Sequence, residues 1–199
     1  MKSSLCLQVY GMMRTTNSSG SSTSRVFSLK LQYTISFSSP SYATQIEYLK
    51  KAIQNTNPEW IIVTMHYSMF SAGPHSDEEK ILNLRKVYNE AFSELDVDLV
   101  LSGHDHLYAR TYLMKGMKST GNASGLKKQG ETLYLSGTSS TGSKFYEKES
   151  GKKGYIAFYD GETEKTPLIS AITIQGKTLT IKTVRTTDMS VFDEITIRK

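Results

Sequence analysis

The four histidines of this 199-residue chain, His66, His75, His104 and His106, fall within 41 positions. Neutral imidazole is a ligand for borderline cations such as Zn, Fe, Mn or Ni, and a proton carrier near neutral pH. His104-Asp105-His106 is a His-x-His pair. In extended backbone such a pair puts both rings on one side of the chain, roughly 6.5–7 Å apart at the Cα atoms. Rings so placed can converge on one cation or reach two cations about 3.5–4 Å apart. Gly103 before the pair lets the backbone turn sharply beneath it. A single histidine at a strand end is ordinarily a hydrogen-bonded structural residue. His66 gains a ligand reading only from the pair that follows. His75, on a Gly-Pro loop ahead of a helix, reads equally as a surface residue or as a proton donor overhanging the site.

Trp60-Ile-Ile-Val-Thr-Met65 is a short apolar run, the pattern of a strand covered on both faces, with His66 at its C-terminal end. Asp98-Leu-Val-Leu-Ser102 is a second such run, leading into Gly103 and the histidine pair. Between them Ser76 and Glu79 have capping-box spacing, and Ile81, Leu84, Tyr88, Phe92 and Leu95 form one apolar stripe, so a helix is predicted through Leu95. Strand, helix, strand implies a right-handed crossover and parallel strands. The histidines then collect at the C-terminal strand edge, where ligands bind in open α/β sheets. A further helix is predicted from Thr44, with Glu47 completing a capping box, to about Asn55, where Pro58 ends it.

Beyond Arg110 a Gly/Lys/Asn-rich loop, 115–130, precedes strands near 132–136, 155–159, 168–174, 178–184 and 192–197, with hairpin turns at Asp160-Gly161 and Gly176-Lys177. The expected fold is α/β: part of a β-sandwich flanked by helices, a β-α-β unit followed by antiparallel strands. Residues 1–40, rich in Ser, Thr, Gly and Asn, read as a low-complexity, disordered leader with one possible strand at 26–37, and 41–199 as the folded unit.

Composition excludes several classes. Cys6 is the only cysteine, so no intrachain disulfide, Cys-rich zinc site or CxxC motif exists. No run approaches the roughly 20 apolar residues needed to cross a bilayer, and no membrane partner is expected. The net charge of +5 is uneven: residues 1–46 hold Lys2, Arg14, Arg25 and Lys30 and no acidic residue, leaving 20 basic against 19 acidic residues over 47–199. A near-neutral domain without a basic-aromatic stripe argues against a nucleic-acid partner.

Val63-Thr-Met-His66, the loop with His75, and Gly103-His104-Asp105-His106-Leu-Tyr108-Ala-Arg110 together resemble the C-terminal half of a calcineurin-like metallophosphoesterase, purple acid phosphatase type. The resemblance continues through Tyr134–Tyr146 and Phe192–Ile197. It implies a dinuclear centre, Fe with Zn, Mn or Fe, that hydrolyses phosphoesters with a metal-bound hydroxide. By position, His66 and His104 would bind the divalent metal and His106 the other, often ferric, metal. His75 would be the catalytic histidine that contacts the phosphate or protonates the leaving alcohol. Asp105 fills a variable slot and receives no role.

The family's site also uses an early aspartate, a GDxxY block and a GNH block upstream of the first histidine. The first aspartate here is Asp77. Two close cations need a bridging anion to offset their repulsion. The expectation is therefore an acid phosphatase-like hydrolase by lineage whose N-terminal half is missing, with at most one metal in this chain and no activity of its own. The alternative is a non-catalytic metal-binding or structural remnant. The resemblance implies a secreted or periplasmic location. Asn17-Ser-Ser and Asn122-Ala-Ser are formal glycosylation sequons, while residues 5–13 make a poor signal sequence, interrupted by Gln8 and Gly11.

Overall fold

A computed structural model describes residues 13–15, 26–31, 42–139, 142, 144–148, 153–159 and 165–199. The apolar runs become parallel strands because both of their faces are covered. Strand β3 (Trp60–Tyr67) pairs in parallel with β2 (Val26–Leu31) on one side and β4 (Leu99–Gly103) on the other. Strand β9 (Glu131–Ser136) continues the parallel order beyond β4. Helix α1 (Tyr42–Thr56) crosses from β2 to β3, and α2 (Glu79–Glu94) from β3 to β4. Odd residues Ile61, Val63 and Met65 pack with Leu49 of α1 and Ile81, Leu84, Tyr88 and Phe92 of α2. Even residues Trp60 and Ile62 face the other way, as the two-residue period of a strand requires.

On that second face lies a second sheet, ordered β1 (Met13–Thr15), β11 (Leu168–Gln175), β12 (Thr178–Arg185), β13 (Val191–Arg198) and β8 (Gly125–Leu126). Its Ile172, Ile174, Leu179, Ile181, Ile195 and Ile197 interlock with Ile62, Leu99, Leu101, Leu133 and Leu135 of the first sheet. The molecule is thus a β-sandwich with helices on one outer face. The antiparallel hairpin β11–β12 turns at Gly176 (φ 53°), whose carbonyl accepts a 2.8 Å hydrogen bond from Trp60 Nε1 across the sandwich.

Several local expectations are corrected. Helix α1 starts at Tyr42, so Thr44 lies inside its first turn and is not the cap. Helix α2 starts at Glu79 with Glu78 at its N-cap and no side-chain cap bond, because Ser76 Oγ donates instead to the Gly73 carbonyl (2.8 Å) and closes the preceding loop. The segment read as a loop, 115–130, carries β6 (Met114–Lys115), β7 (Lys118–Ser119) and β8, and β5 (Ala109–Thr111) adds an antiparallel strand between β9 and β10 (Ile156–Tyr159). These strands are two or three residues long, too short for any periodicity to be legible. Of the possible strand 26–37, β2 covers 26–31; residues 32–40 and the Asp160-Gly161 turn lie outside the described residues.

Candidate metal centre

Strand β3 runs on past Met65, so His66 lies within it and not beyond it. Its register against β4 slips there: Thr64 pairs with Leu101 and Tyr67 with Gly103, three steps on one strand against two on the other. This one-residue bulge re-aims the end of β3, as bulges beside active sites do. His66 Nε2 consequently lies 3.0 Å from His104 Nδ1. Without a cation that separation is a hydrogen bond. It also matches the roughly 3.0 Å cis edge of an octahedral ion with bonds of about 2.1 Å.

The histidine pair is not extended. His104 (φ 69°) and His106 (φ 46°) both have left-handed backbone, and Asp105 N donates to the Gly103 carbonyl (2.8 Å). That is a three-residue turn centred on His104, of the rare positive-φ kind, and strain of this sort in a non-glycine residue collects at functional sites. The expected same-side display of two rings 6.5–7 Å apart is therefore replaced by a tight turn at His104 and left-handed backbone at His106.

His75 stacks on His104 (ring centroids 4.8 Å apart) and His66 lies 4.9 Å from the same ring. His106 has its ring contact with Tyr146 (5.4 Å), which also touches His75 (5.2 Å). Three of the four rings meet at His104, and the fourth joins through a tyrosine. Lys144 Nζ stands 4.6 Å from the Tyr146 centroid, a cation at the rim.

Burial leads the pKa shifts. His104 is held down at about 4 by desolvation and then by His66 and His75. His66 is lowered by burial, then by His106 and Lys80, and His106 by burial and then Lys144. These rings are neutral at neutral pH and present lone pairs. His75 Nδ1 hydrogen-bonds Glu78, whose carboxyl is depressed first by Lys80 (2.9 Å) and then by His75. An ionised carboxylate only accepts, so Nδ1 carries the proton and Nε2 is left for chemistry.

The donor set fits a cation. Buried His66 Nδ1, His104 Nε2 and Asp105 Oδ2 have no hydrogen-bond partner, and such orphans in a polar cluster call for an explanation. Asp105 is 1% exposed, and burial raises its pKa. One ligand atom from each of His75, His104 and Asp105 lies within 4.8 Å of the others. Sequence reasoning singled out the four histidines and gave no role to Asp105, Glu78, Lys144 and Tyr146, which the structure places beside them. The i, i+3 spacing of His75 and Glu78 was a usable signal; the burial of Asp105 had none.

The family model for calcineurin-like phosphoesterases matches residues 10–108, a span holding all four histidines. The chain resembles the calcineurin-like phosphoesterases. Purple acid phosphatases recur among the phosphoesterases it resembles. It is 34% identical over 73 residues to the Fe(3+)-Zn(2+) purple acid phosphatase 12 of Arabidopsis thaliana, an alignment covering 35% of this chain and 15% of that protein. It is 29% identical over 72 residues to an uncharacterized protein of Mycobacterium tuberculosis, covering 36% and 13%.

Among solved structures, the purple acid phosphatase PPD1 of yellow lupin, Lupinus luteus, superposes with a TM-score of 0.62 at 19% identity, over 77% of this chain and 28% of that one. GAP50, described as the anchor in the inner membrane complex of Plasmodium, gives 0.59 at 15%, over 85% and 48%. At these identities the structures establish the phosphoesterase fold. The chain spans less than half the length of each of these relatives. No helix among the described residues is long and apolar enough to cross a membrane.

Proposed function

We propose that this chain contributes the histidine half of a metal-dependent phosphoester hydrolase of acid phosphatase type. The observation that carries the reading is the 3.0 Å approach of His66 Nε2 to His104 Nδ1 at the C-terminal edge of parallel strands, inside the matched span. His66 and His104 hold one divalent cation and His106 the second, with Fe paired with Zn, Mn or Fe. The bridging carboxylate of the family site would come from a segment other than residues 1–46, which hold no acidic residue. When bound, the cations supply Lewis acidity at the phosphoryl group and to water.

The chain's own residues do the rest. His75, pinned through Nδ1 by Glu78, is oriented to give a proton from Nε2 to the departing alkoxide. Lys144 attracts the dianionic substrate to the rim, where the Tyr146 ring separates His75 from His106. A secreted or periplasmic location accompanies this reading.

The test is to supply an upstream segment with the aspartate, GDxxY and GNH blocks and assay p-nitrophenyl phosphate. Hydrolysis lost on His104→Ala is the expected result. A protein that binds two metals and hydrolyses no phosphoester overturns the reading. The second reading, a non-catalytic remnant, draws on the acid-free N-terminal segment and on the fold shared with GAP50, described as an anchor. Zero or one metal in the completed protein, without hydrolysis, favours it.

A further inference from the structure

We infer that this polypeptide by itself binds one divalent transition-metal cation through His75, His104 and Asp105, with Asp105 as the anionic ligand. The inference shares His75 and His104 with the hydrolase reading and rests on it only in taking the cluster as a metal centre. In the two-metal assembly other carboxylates neutralise the cations; in this chain Asp105, in the slot between the paired histidines, is a buried carboxylate beside the rings.

The side chain of Asp105 is built in. It is 1% exposed, Oδ2 has no hydrogen-bond partner, and among the described residues it forms no ion pair. A buried carboxylate without a cation is costly, and a bound metal removes that cost. The carboxylate also lies where only glycine leaves room. A Cβ at Gly73 would come within 2.8 Å of Oδ2 and 2.9 Å of the Asp105 Cβ and carboxyl carbon.

The turn at His104 is what brings neighbouring residues to one ion. In a strand, 104 and 105 would point to opposite faces. With φ at 69° and the Asp105 N–H folded back on Gly103, one ligand atom of each lies within 4.8 Å of the other and of His75. Small side-chain rotations bring that spread to the roughly 3.4 Å edge of a tetrahedron with bonds of about 2.1 Å.

Each histidine is oriented as a ligand. His75 donates a hydrogen bond from Nδ1 to Glu78, itself held by Lys80 at 2.9 Å, which is the carboxylate–histidine support that fixes a metal-binding tautomer. When His104 Nδ1 donates to His66 Nε2, the buried His104 Nε2 keeps an unused lone pair. His66 then acts as the positioning residue for His104. Two neutral imidazoles and one carboxylate suit Zn(II) or Co(II) and leave a fourth position open. His106, whose ring lies against Tyr146, is outside the set.

The test uses the full chain, stripped with chelator and titrated with Co(II) by visible absorption and with Zn(II) by equilibrium dialysis. One equivalent is expected. His75→Ala and Asp105→Asn should each weaken binding at least tenfold, Glu78→Gln by about tenfold or more, and His106→Ala by less than twofold. His75 is a partly exposed loop residue, so His75→Ala keeps the test decisive if Asp105→Asn fails to fold. The assignment is overturned if the chain binds no metal, or if His106→Ala abolishes binding while His75→Ala and Asp105→Asn bind like the parent. These readouts are independent of turnover, so the hydrolase reading and this assignment fail in different assays.

Discussion

A histidine offers a lone pair to a cation only while neutral, and burial here favours the neutral rings. His66, His104 and His106 are all held below the ordinary value of 6.5, His104 at about 4. In the unfolded chain these rings protonate near 6.5. Between about pH 6.5 and 4 the unfolded state therefore binds more protons than the folded state, and stability falls as pH falls. The contribution is complete above pH 6.5. In EDTA, thermal unfolding should move to lower temperature between pH 7.5 and 5, and the slope should flatten in His104→Gln. A Tm unchanged or rising across that window would show that the rings are not desolvated as described.

At the scale of elements, the site depends on how β3 and α2 hold the segment between them. The bulge at the end of β3 turns His66 toward His104, and the loop that follows carries His75 back over the same ring. Arg85, buried on α2, grips both ends of that loop. Its Nε donates to the Met69 carbonyl and one terminal nitrogen to the Ser76 carbonyl (2.5 Å), while the guanidinium stacks against Phe70 and Tyr155. Arg85→Leu keeps much of the apolar stem's packing but leaves two buried carbonyls unpaired, at about 1–3 kcal/mol each. Hydrogen exchange should accelerate over residues 69–76 before it does in β3 or β4. Uniform acceleration across the chain would mean that Arg85 supports the core and not the loop.

For the whole molecule, the two sheets are tied at the end of β4 opposite the histidines by a buried charge cluster. Asp98 accepts from Ile61 N (2.7 Å) and pairs with Lys127 (3.1 Å) and Lys199 (2.8 Å); Lys127 also pairs with Asp96 (2.5 Å). A second tie joins Arg110 of β5 to Asp193 of β13 (2.5 and 3.1 Å), with the Tyr108 hydroxyl donating to the same carboxylate (2.9 Å). Removing one member of a buried pair leaves its partner desolvated, at about 3–5 kcal/mol. Asp98→Ala should lower the unfolding free energy measured by denaturant titration by that order, and added salt should change the loss little, because the pair is shielded from solvent. A loss that vanishes in 1 M salt would place the cluster at the surface.

The sequence alone determined the layers and singled out the residues that could carry chemistry. Apolar runs with both faces buried implied parallel strands, helical stripes implied their cover, and three histidines at strand ends with a fourth on the intervening loop suggested a metal centre, because period and residue type are local properties. The tertiary structure decided what depends on distant partners. Ser76 could not be seen to cap a loop rather than a helix, since its acceptor belongs to Gly73. The paired histidines read as extended until the turn beneath them was placed. Asp105, in a slot with no assigned role, became a buried carboxylate beside two rings only when the 69–76 loop folded over it. Burial is a sum over contacts from the whole chain, and no short window of sequence contains it.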